Sequence, residues 1–178
     1  MPYDVFLALA RKICLATVEL LPFRTNPDTG ETEALLTQRP ATDDFKWADK
    51  WHIPGTVVRA WSDTVPHDET IDFDAPDFNP DDTFGQVVNR LLKNELQGGV
   101  RLTDGPFLWG SRLRRGNRSL ELTAMLHAGV EVVDPTQPLP AGQFFSVAEL
   151  VEAQQKNFIV GHRWAIGKAA AAHAVAGL

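Results

Sequence analysis

The chain has 178 residues, 44% hydrophobic and 22% charged, so it is long enough to bury a core and has the composition of a soluble globular protein. Its single cysteine, Cys14, excludes an internal disulfide and any metal site made of four cysteines. No stretch approaches the roughly 20 apolar residues of a membrane span. The apolar run at residues 5–10 is short and closed by Arg11 and Lys12, unlike a secretory signal. We therefore expect a cytoplasmic protein without membrane contact.

The net charge of −6 comes from one segment. Eight of the 23 acids lie between Asp63 and Asp82, with no Lys or Arg among them: Asp63, Asp68, Glu69, Asp72, Asp74, Asp77, Asp81 and Asp82. The remainder carries 15 acids against 17 basic residues, so no basic face for a nucleic acid is indicated. Prolines 66, 76 and 80 interrupt the same stretch. We predict an acidic, proline-containing insertion at about residues 62–81, outside the packed core.

The first half of the chain predicts a β-hairpin followed by a helix. Residues 13–20 and 33–38 are typical of strands, and the Asn-Pro-Asp-Thr-Gly run at 26–30 is typical of the turn between them. Residues 39–50 indicate a loop, and residues 51–58 pass from a Pro-Gly turn into a short extended run. Apolar residues at helical spacing predict a helix over 84–97, with a capping box at Thr83 and Gln86 and its end at Gly98 and Gly99.

The second half predicts two strands and two helices. Residues 106–113 and 119–130 are typical of strands joined by a turn at 115–117. A proline-rich loop at 134–140 leads to a helix over 147–156, headed by the capping spacing of Ser146 and Glu149. The alanine-rich residues 162–176 predict the last helix. Strands interleaved with three helices indicate one α/β domain over residues 1–178, with a mixed sheet flanked by helices.

Two sequence segments and this order of elements resemble those of the Nudix hydrolase family. That family's box is G-x5-E-x7-R-E-U-x-E-E-x-G-U, where U is a bulky aliphatic residue, and a Trp-x-x-Pro-Gly lead commonly precedes it. Residues 51–55 (WHIPG) match the lead, and residues 82–96 (DTFGQVVNRLLKNEL) resemble the box helix. Asp82 stands at the first Glu of the box, Arg90 at its Arg and Glu95 at its last Glu. Residues 143–150 (QFFSVAEL) resemble a later string of the family. The resemblance implies a Nudix-like α/β/α sandwich.

The box departs from the family pattern at several positions. Thr56 replaces the opening glycine, Leu91 the Glu after the Arg, and Asn94 the first paired Glu, while Gly98 comes one residue late. Positions 91, 94 and 95 share one helix face, and in the family three carboxylates there hold Mg²⁺ against a pyrophosphate. Only Glu95 remains here, with Asn94 offering a neutral oxygen. The resemblance therefore implies at most a weakly bound Mg²⁺ completed by substrate phosphates.

The resemblance implies a role for several residues, each with a structural alternative. It assigns catalytic roles to Glu95 and Arg90, metal ligation to Glu95, Asn94 and Asp82, and ligand binding to Gly55 and Thr56. Arg112 and Arg114 are added as ligand-binding candidates because arginines cluster around the predicted turn. The two ligand-binding arginines stand beside a predicted turn, where guanidinium groups can grip phosphates or simply face solvent. Glu95 could equally be a solvated helix residue, Arg90 a salt-bridge partner and Asp82 a helix-end acid.

Three functions follow from these residues. The favoured one is a divergent Nudix protein that binds a nucleotide or another pyrophosphate-containing small molecule, with weak or absent Mg²⁺-dependent hydrolysis. The second is an active hydrolase of nucleoside diphosphates linked to a moiety X, using relocated acids such as Asp82 or Glu121. The third is a non-catalytic interaction module that works through the acidic insertion. The sequence leaves the oligomeric state, a homodimer included, open.

Overall fold

A sheet of seven strands with three helices forms the described part of the chain. The computed structural model describes residues 14–41, 48–58, 80–115, 120–152 and 160–175. The strands are β1 (Cys14–Thr25), β2 (Thr32–Gln38), β3 (Trp51–His52), β4 (Gly55–Val57), β5 (Val100–Arg115), β6 (Leu120–Val132) and β7 (Gln143–Ser146). The helices are α1 (Pro80–Asn94), α2 (Val147–Glu152) and α3 (Val160–Val175).

The sheet is mixed, as the sequence predicts. Its strand order is β3-β2-β1-β6-β5, with β4 paired to β1 and β7 paired to β2. Strands β1 and β6 run parallel, and the other pairs are antiparallel. The predicted hairpin is confirmed, since β1 pairs with β2 across a turn in which Asn26 Oδ1 accepts from the backbone N–H groups of Asp28 and Thr29. Strand β1 therefore lies at the centre, with β2 and β4 on one side and β6 on the other.

Element bounds differ from the predictions mainly where proline or glycine suggested a break. Helix α1 begins at Pro80, so Thr83 lies inside the helix and the predicted capping box at Thr83 is wrong. Proline suits the first helical turn, because its missing N–H has no partner there anyway. Strand β5 begins at Val100 and runs through Gly105 and Pro106 with irregular pairing. Residues 59–79, and with them most of the predicted insertion, lie outside the described residues, as do residues 116–119, which include most of the turn predicted at 115–117.

One face of the sheet is covered by α1, and we call it the α1 face. Alternate residues of a strand point to opposite faces, and β1 contributes Val18 and Leu20 to this side. Helix α1 and the turn after it contribute residues at helical spacing: Val87, Val88, Leu91, Leu92 and Leu96. They pack with Leu35, Leu126, Ala128 and Val130 into one apolar cluster. The helix therefore docks through apolar packing.

The other face is covered by α2 and α3, and we call it the α3 face. Strand β1 contributes Leu21 and Phe23 to this side, which pack against Leu150 of α2 and against Ala165, Ile166 and Ala169 of α3. Helices thus lie on both faces, as the predicted α/β/α arrangement requires. None of the helices in the described ranges is both long and apolar enough to span a membrane.

The C-terminal end of α1 keeps a left-handed turn without a glycine at its first position. Gln97 has φ 50° and Gly98 has φ 70°. The backbone N–H of Gly98 donates to Leu92 O at 2.9 Å, which closes the end of the helix. Gln97 stands where the resemblance places the glycine of the box, and its positive φ is a conformation that glycine adopts readily. A side chain at this φ is strained relative to glycine.

Candidate functional site

Arg90 ties the box helix to β4. Its Nη1 donates to Thr56 Oγ1 at 3.0 Å and its Nη2 donates to Val57 O at 2.8 Å. Thr56 is the register partner of Val18, which places it on the α1 face. Two residues that the resemblance implies for the site, Arg90 and Thr56, therefore meet. The contact also gives Arg90 a structural role in holding α1 against the sheet.

The three helix positions of the family's carboxylates have different surroundings. Leu91 is only 1% exposed and packs inside the apolar cluster of the α1 face. Asn94 is exposed at the end of α1. Glu95 follows it, half-buried, with its N–H donating to Leu91 O at 2.8 Å. The two positions that lack the family's carboxylates are thus occupied by a core leucine and a solvent-facing amide, and one acid remains.

Two arginines set the electrostatics around Glu95. Burial raises the pKa of the Glu95 carboxyl above its ordinary value of 4.5, while the positive charges of Arg39 and Arg90 oppose the rise. Arg39 directly follows β2, where its N–H donates to Lys50 O at 3.0 Å. One acid between two guanidinium groups leaves a net positive charge, which suits a phosphate better than a metal cation.

Asp82 is too far from Glu95 to share an ion with it. The two residues lie at opposite ends of the α1 segment, and 13 residues of helix correspond to about 20 Å. The expected metal set of Glu95, Asn94 and Asp82 therefore cannot converge on one ion. In the described part of the chain, no three Asp, Glu, His or Cys side chains are placed to hold a metal. The residues that the structure describes therefore do not fit a resident Mg²⁺.

Arg112 lies on the α3 face in a nearly buried ion pair. Its Nη2 donates to both carboxylate oxygens of Glu19, at 2.6 and 2.7 Å. The Glu19 side chain is 9% exposed and that of Arg112 18%. Beside this pair, the hydroxyl groups of Thr17 and Thr123 are hydrogen-bonded at 2.7 Å. The expected ligand-binding arginine is thus on a strand, already engaged by an acid, and on the opposite face from Glu95.

Gly55 permits the close approach of β4 to this ion pair. A Cβ atom at Gly55 would lie 3.0 Å from Val18 O and 3.1 Å from Glu19 Cγ. Any larger residue would push Glu19 or the β1 backbone aside. Gly55 therefore has a packing role beside whatever it offers to a ligand.

Glu121 extends the polar part of the α3 face, because it lies two residues from Thr123 on β6. Its register partner on β5 is Arg114. The Arg114 side chain lies outside the described atoms. Glu121, one of the acids considered for relocation, is separated from Glu95 by the thickness of the sheet.

Sequence reasoning missed Glu19 and Arg39. A signal for Glu19 existed, because it is the only acid in the apolar run of β1 and an acid there needs a partner. The partner could not be identified, since Arg112 is 93 residues away and meets Glu19 only across β6. For Arg39 no local pattern distinguishes it from an ordinary loop arginine.

Comparisons with known proteins identify the fold through structure alone. No protein-family model and no curated protein matches the amino-acid sequence. Among solved structures, a MutT/nudix family protein from Listeria innocua has 16% identity over 90% of this chain and 94% of that chain, with a TM-score of 0.60. The Ap4A hydrolase of C. elegans has 12% identity over 89% and 98%, with a TM-score of 0.53. The NUDIX domain of Shewanella oneidensis NrtR, complexed with ADP ribose, has 16% identity over 97% and 99%, with a TM-score of 0.50.

These matches span most of this chain and of each matched chain. The protein therefore has the Nudix fold, and the fold implied by the sequence resemblance is confirmed. Identities this low establish the fold and leave activity and ligand to be argued from the site.

Proposed function

We propose that this Nudix-fold protein binds a nucleotide or another pyrophosphate-containing small molecule and hydrolyses it weakly or not at all. The observation that carries the proposal is the core position of Leu91, 1% exposed, where the family's chemistry needs a carboxylate. A buried leucine neither ligates a metal nor accepts a proton. With Asn94 neutral, Glu95 alone cannot assemble the multi-ligand Mg²⁺ site.

The arginines beside Glu95 support ligand binding without a resident metal. Guanidinium groups pair bidentately with phosphate oxygens and stay charged at all physiological pH values. Arg39 and Arg90 both act on Glu95 electrostatically, so a pyrophosphate approaching this end of α1 meets two positive charges. A Mg²⁺ ion would have to arrive with the ligand's own phosphates. The NrtR NUDIX domain, of the same fold, is a protein complexed with ADP ribose, a pyrophosphate-linked compound.

The relocated-acid alternative has less support. Asp82 is about 20 Å from Glu95 along the helix, and Glu121 lies on the other face of the sheet. Neither can complete a metal site with Glu95 without a rearrangement of α1 or the sheet. An interaction module working through the acidic insertion rests on residues outside the described part, and no described contact favours it.

Calorimetry with ADP-ribose and ADP tests the binding part of the proposal. We expect binding with similar affinity in Mg²⁺ and in EDTA, because arginines supply the positive charge. Arg39→Gln should weaken it about tenfold or more, since a charge-assisted hydrogen bond contributes about 1.5–3 kcal/mol. Arg101→Gln is the matched control, because Arg101 pairs with Glu131 at the solvent-exposed edge of the sheet. Binding that disappears in EDTA would contradict the arginine account.

Product release tests the hydrolysis part. The parent protein, with Mg²⁺, is incubated with nucleoside triphosphates, dinucleoside polyphosphates and sugar nucleotides, and nucleoside monophosphate and phosphate are measured. We expect release close to the enzyme-free background. Vigorous Mg²⁺-dependent turnover that Glu121→Gln abolishes would replace this proposal with relocated catalysis.

A further inference from the structure

Two buried histidines and the partly buried Asp104 lie close together where α3 packs on the sheet. His127 of β6 is 3% exposed and His173 of α3 is 7% exposed, and their ring centroids lie 5.4 Å apart in an edge-to-face arrangement. Asp104 of β5 acts electrostatically on both. The Nδ1 atoms of both histidines and Oδ2 of Asp104 are buried without a hydrogen-bond partner. Such unpaired buried atoms are uncommon in native proteins, and a cluster of three calls for an explanation.

The surroundings of the two histidines are otherwise apolar. His173 stacks on Phe23 with ring centroids 4.7 Å apart, and His127 lies against Phe107 at 5.4 Å. Strand β1 presents Leu21, the register partner of His127, beside Phe23. The described part of α3 presents Ala165, Ile166 and Ala169 to the sheet, with Lys168 pointing to solvent. Asp104 is therefore the one charged group among the described residues that faces the histidine pair.

This environment favours the neutral form of both rings. Burial lowers the pKa of His127 and of His173 below their ordinary value of 6.5, and the Asp104 carboxylate opposes the shift. His173 stands in the last turn of α3, where a helix end stabilises a positive charge by about 0.3–1 kcal/mol. That stabilisation and the attraction of the Asp104 carboxylate offset part of the free-energy cost of protonating one of the two histidines. Two imidazolium ions at this separation would repel each other.

Among the described side chains, α3 packs smaller apolar groups against the sheet than α1 does. Besides the His173 ring, α3 contributes three alanines and one isoleucine, whereas α1 and the turn after it contribute valines and leucines. Apolar burial contributes about 25 cal/mol per Å², so the alanine-rich helix gains less from docking. The cost of protonating a histidine at this interface is therefore opposed by less apolar burial than the same cost would meet under α1.

We infer that α3 is an acid-sensitive cover of the sheet, docked on Phe23 and His127 while both histidines are neutral and released when they take up protons. Helix α1 on the opposite face buries no histidine among its described side chains and stays docked. The device lies away from Glu95 and does not depend on the proposed function. It makes the α3 face, where Glu19 and Arg112 lie, more accessible in acid than at neutral pH.

The sign and size of the effect follow from proton linkage. Above pH 6.5 a released histidine is neutral, so docked and released states bind the same protons and docking is unaffected. Below pH 6.5 the released state binds protons that the docked state resists, so docking weakens as the pH falls. At pH 5.5, one fully excluded proton favours release by about 11-fold, and two by about 120-fold.

Amide hydrogen exchange on the full chain tests this inference. Protection factors, corrected for intrinsic exchange rates, are compared at pH 7.5 and 5.5 for peptides from α3 and from α1. We expect α3 protection to fall about 10- to 100-fold in acid while α1 protection stays constant. His173→Phe keeps a ring stacked on Phe23 but cannot be protonated. The fall in α3 protection between pH 7.5 and 5.5 should therefore be about tenfold smaller in this variant than in the parent protein. His52→Gln is the control, because His52 lies on β3, and it should leave the response unchanged.

Three results would overturn the inference. One is α3 protection that does not change between the two pH values. Another is an equal loss of protection in α1 and α3, which would indicate global unfolding. The third is an acid response that persists in His173→Phe and also in His127→Leu, the second variant should the first fold poorly.

Discussion

The two faces of the central sheet are built on different chemistry. Under α1 every buried helix residue is apolar, including Leu91, which stands where the Nudix family has a carboxylate. Under and beside α3, the buried groups include Glu19, Thr123, His127 and His173. At position 91, a residue that the box motif expects to be a carboxylate is thus part of the apolar core. The buried polar groups lie instead on the face that the box motif does not describe.

The largest expected effect on the free energy of unfolding comes from placing a charge in the apolar cluster of the α1 face. Leu91→Glu places a carboxylate among buried valines and leucines and should cost about 3–5 kcal/mol in the free energy of unfolding. Asn94→Glu, three residues further on and exposed, should change it by less than about 0.5 kcal/mol. Urea denaturation measures both. A well-folded Leu91→Glu protein that loses under 1 kcal/mol would show that this helix face can still reach solvent.

The next effect concerns the polar face. Glu19→Gln leaves the Arg112 guanidinium nearly buried without its counter-charge, and we expect a loss of about 3 kcal/mol. Glu131→Gln breaks the exposed pair with Arg101 and should cost less than about 1 kcal/mol. Replacing both partners, with Glu19→Leu and Arg112→Met, should recover much of the loss. If Glu19→Gln and Glu131→Gln cost the same, the buried polar character of the α3 face contributes nothing to stability.

A smaller effect tests the end of α1. Gln97→Gly should raise the free energy of unfolding by about 1 kcal/mol, because glycine adopts φ 50° without strain. Gln86→Gly, an exposed site inside the same helix, should lower it by about 1 kcal/mol. The opposite signs of two identical replacements make the experiment self-controlled. A loss of stability at both sites would mean that Gln97 makes interactions that outweigh its backbone strain.

The smallest effect is at the rim of the apolar face. Because burial raises the pKa of Glu95, the folded protein resists ionising it, and its contribution to stability falls as the pH rises from 4.5 through the folded pKa. Glu95→Gln should therefore be slightly stabilising at pH 7, by less than about 1 kcal/mol after solvent screening. The advantage should shrink at pH 4.5, where the parent carboxyl is largely protonated. An advantage that grows in acid would reverse the assigned direction.

Local sequence patterns predicted much of the fold, because helical spacing and turn residues reflect the conformational preferences of short segments. The apolar spacing in 84–97 identified α1, and the Asn-Pro-Asp-Thr-Gly turn identified the hairpin. Bounds failed at Pro80 and at Gly105–Pro106, where residues that usually interrupt an element were accommodated at a helix start and in an irregular strand.

The sequence alone could predict only those features of the candidate site that lie within the box helix and the segment before it. The loss of carboxylates at 91 and 94 could be seen directly, and the core packing of Leu91 follows from its side chain. The pairing of Glu19 with Arg112, and of His127 with His173, depends on strand order and helix docking. Those are properties of the assembled sheet, and no spacing along the chain encodes them.

The hydrogen bonds of Arg90 have a consequence for chain engineering. They connect β4, which leads into residues 59–79, to α1, which follows them. These hydrogen bonds and the apolar packing of α1 together hold the two anchor points at a fixed separation. Halving or doubling a joining segment changes its closure entropy by only about 0.6 kcal/mol. We therefore expect the segment between β4 and α1 to accept an inserted affinity tag or fluorescent reporter without disturbing the sheet or α1.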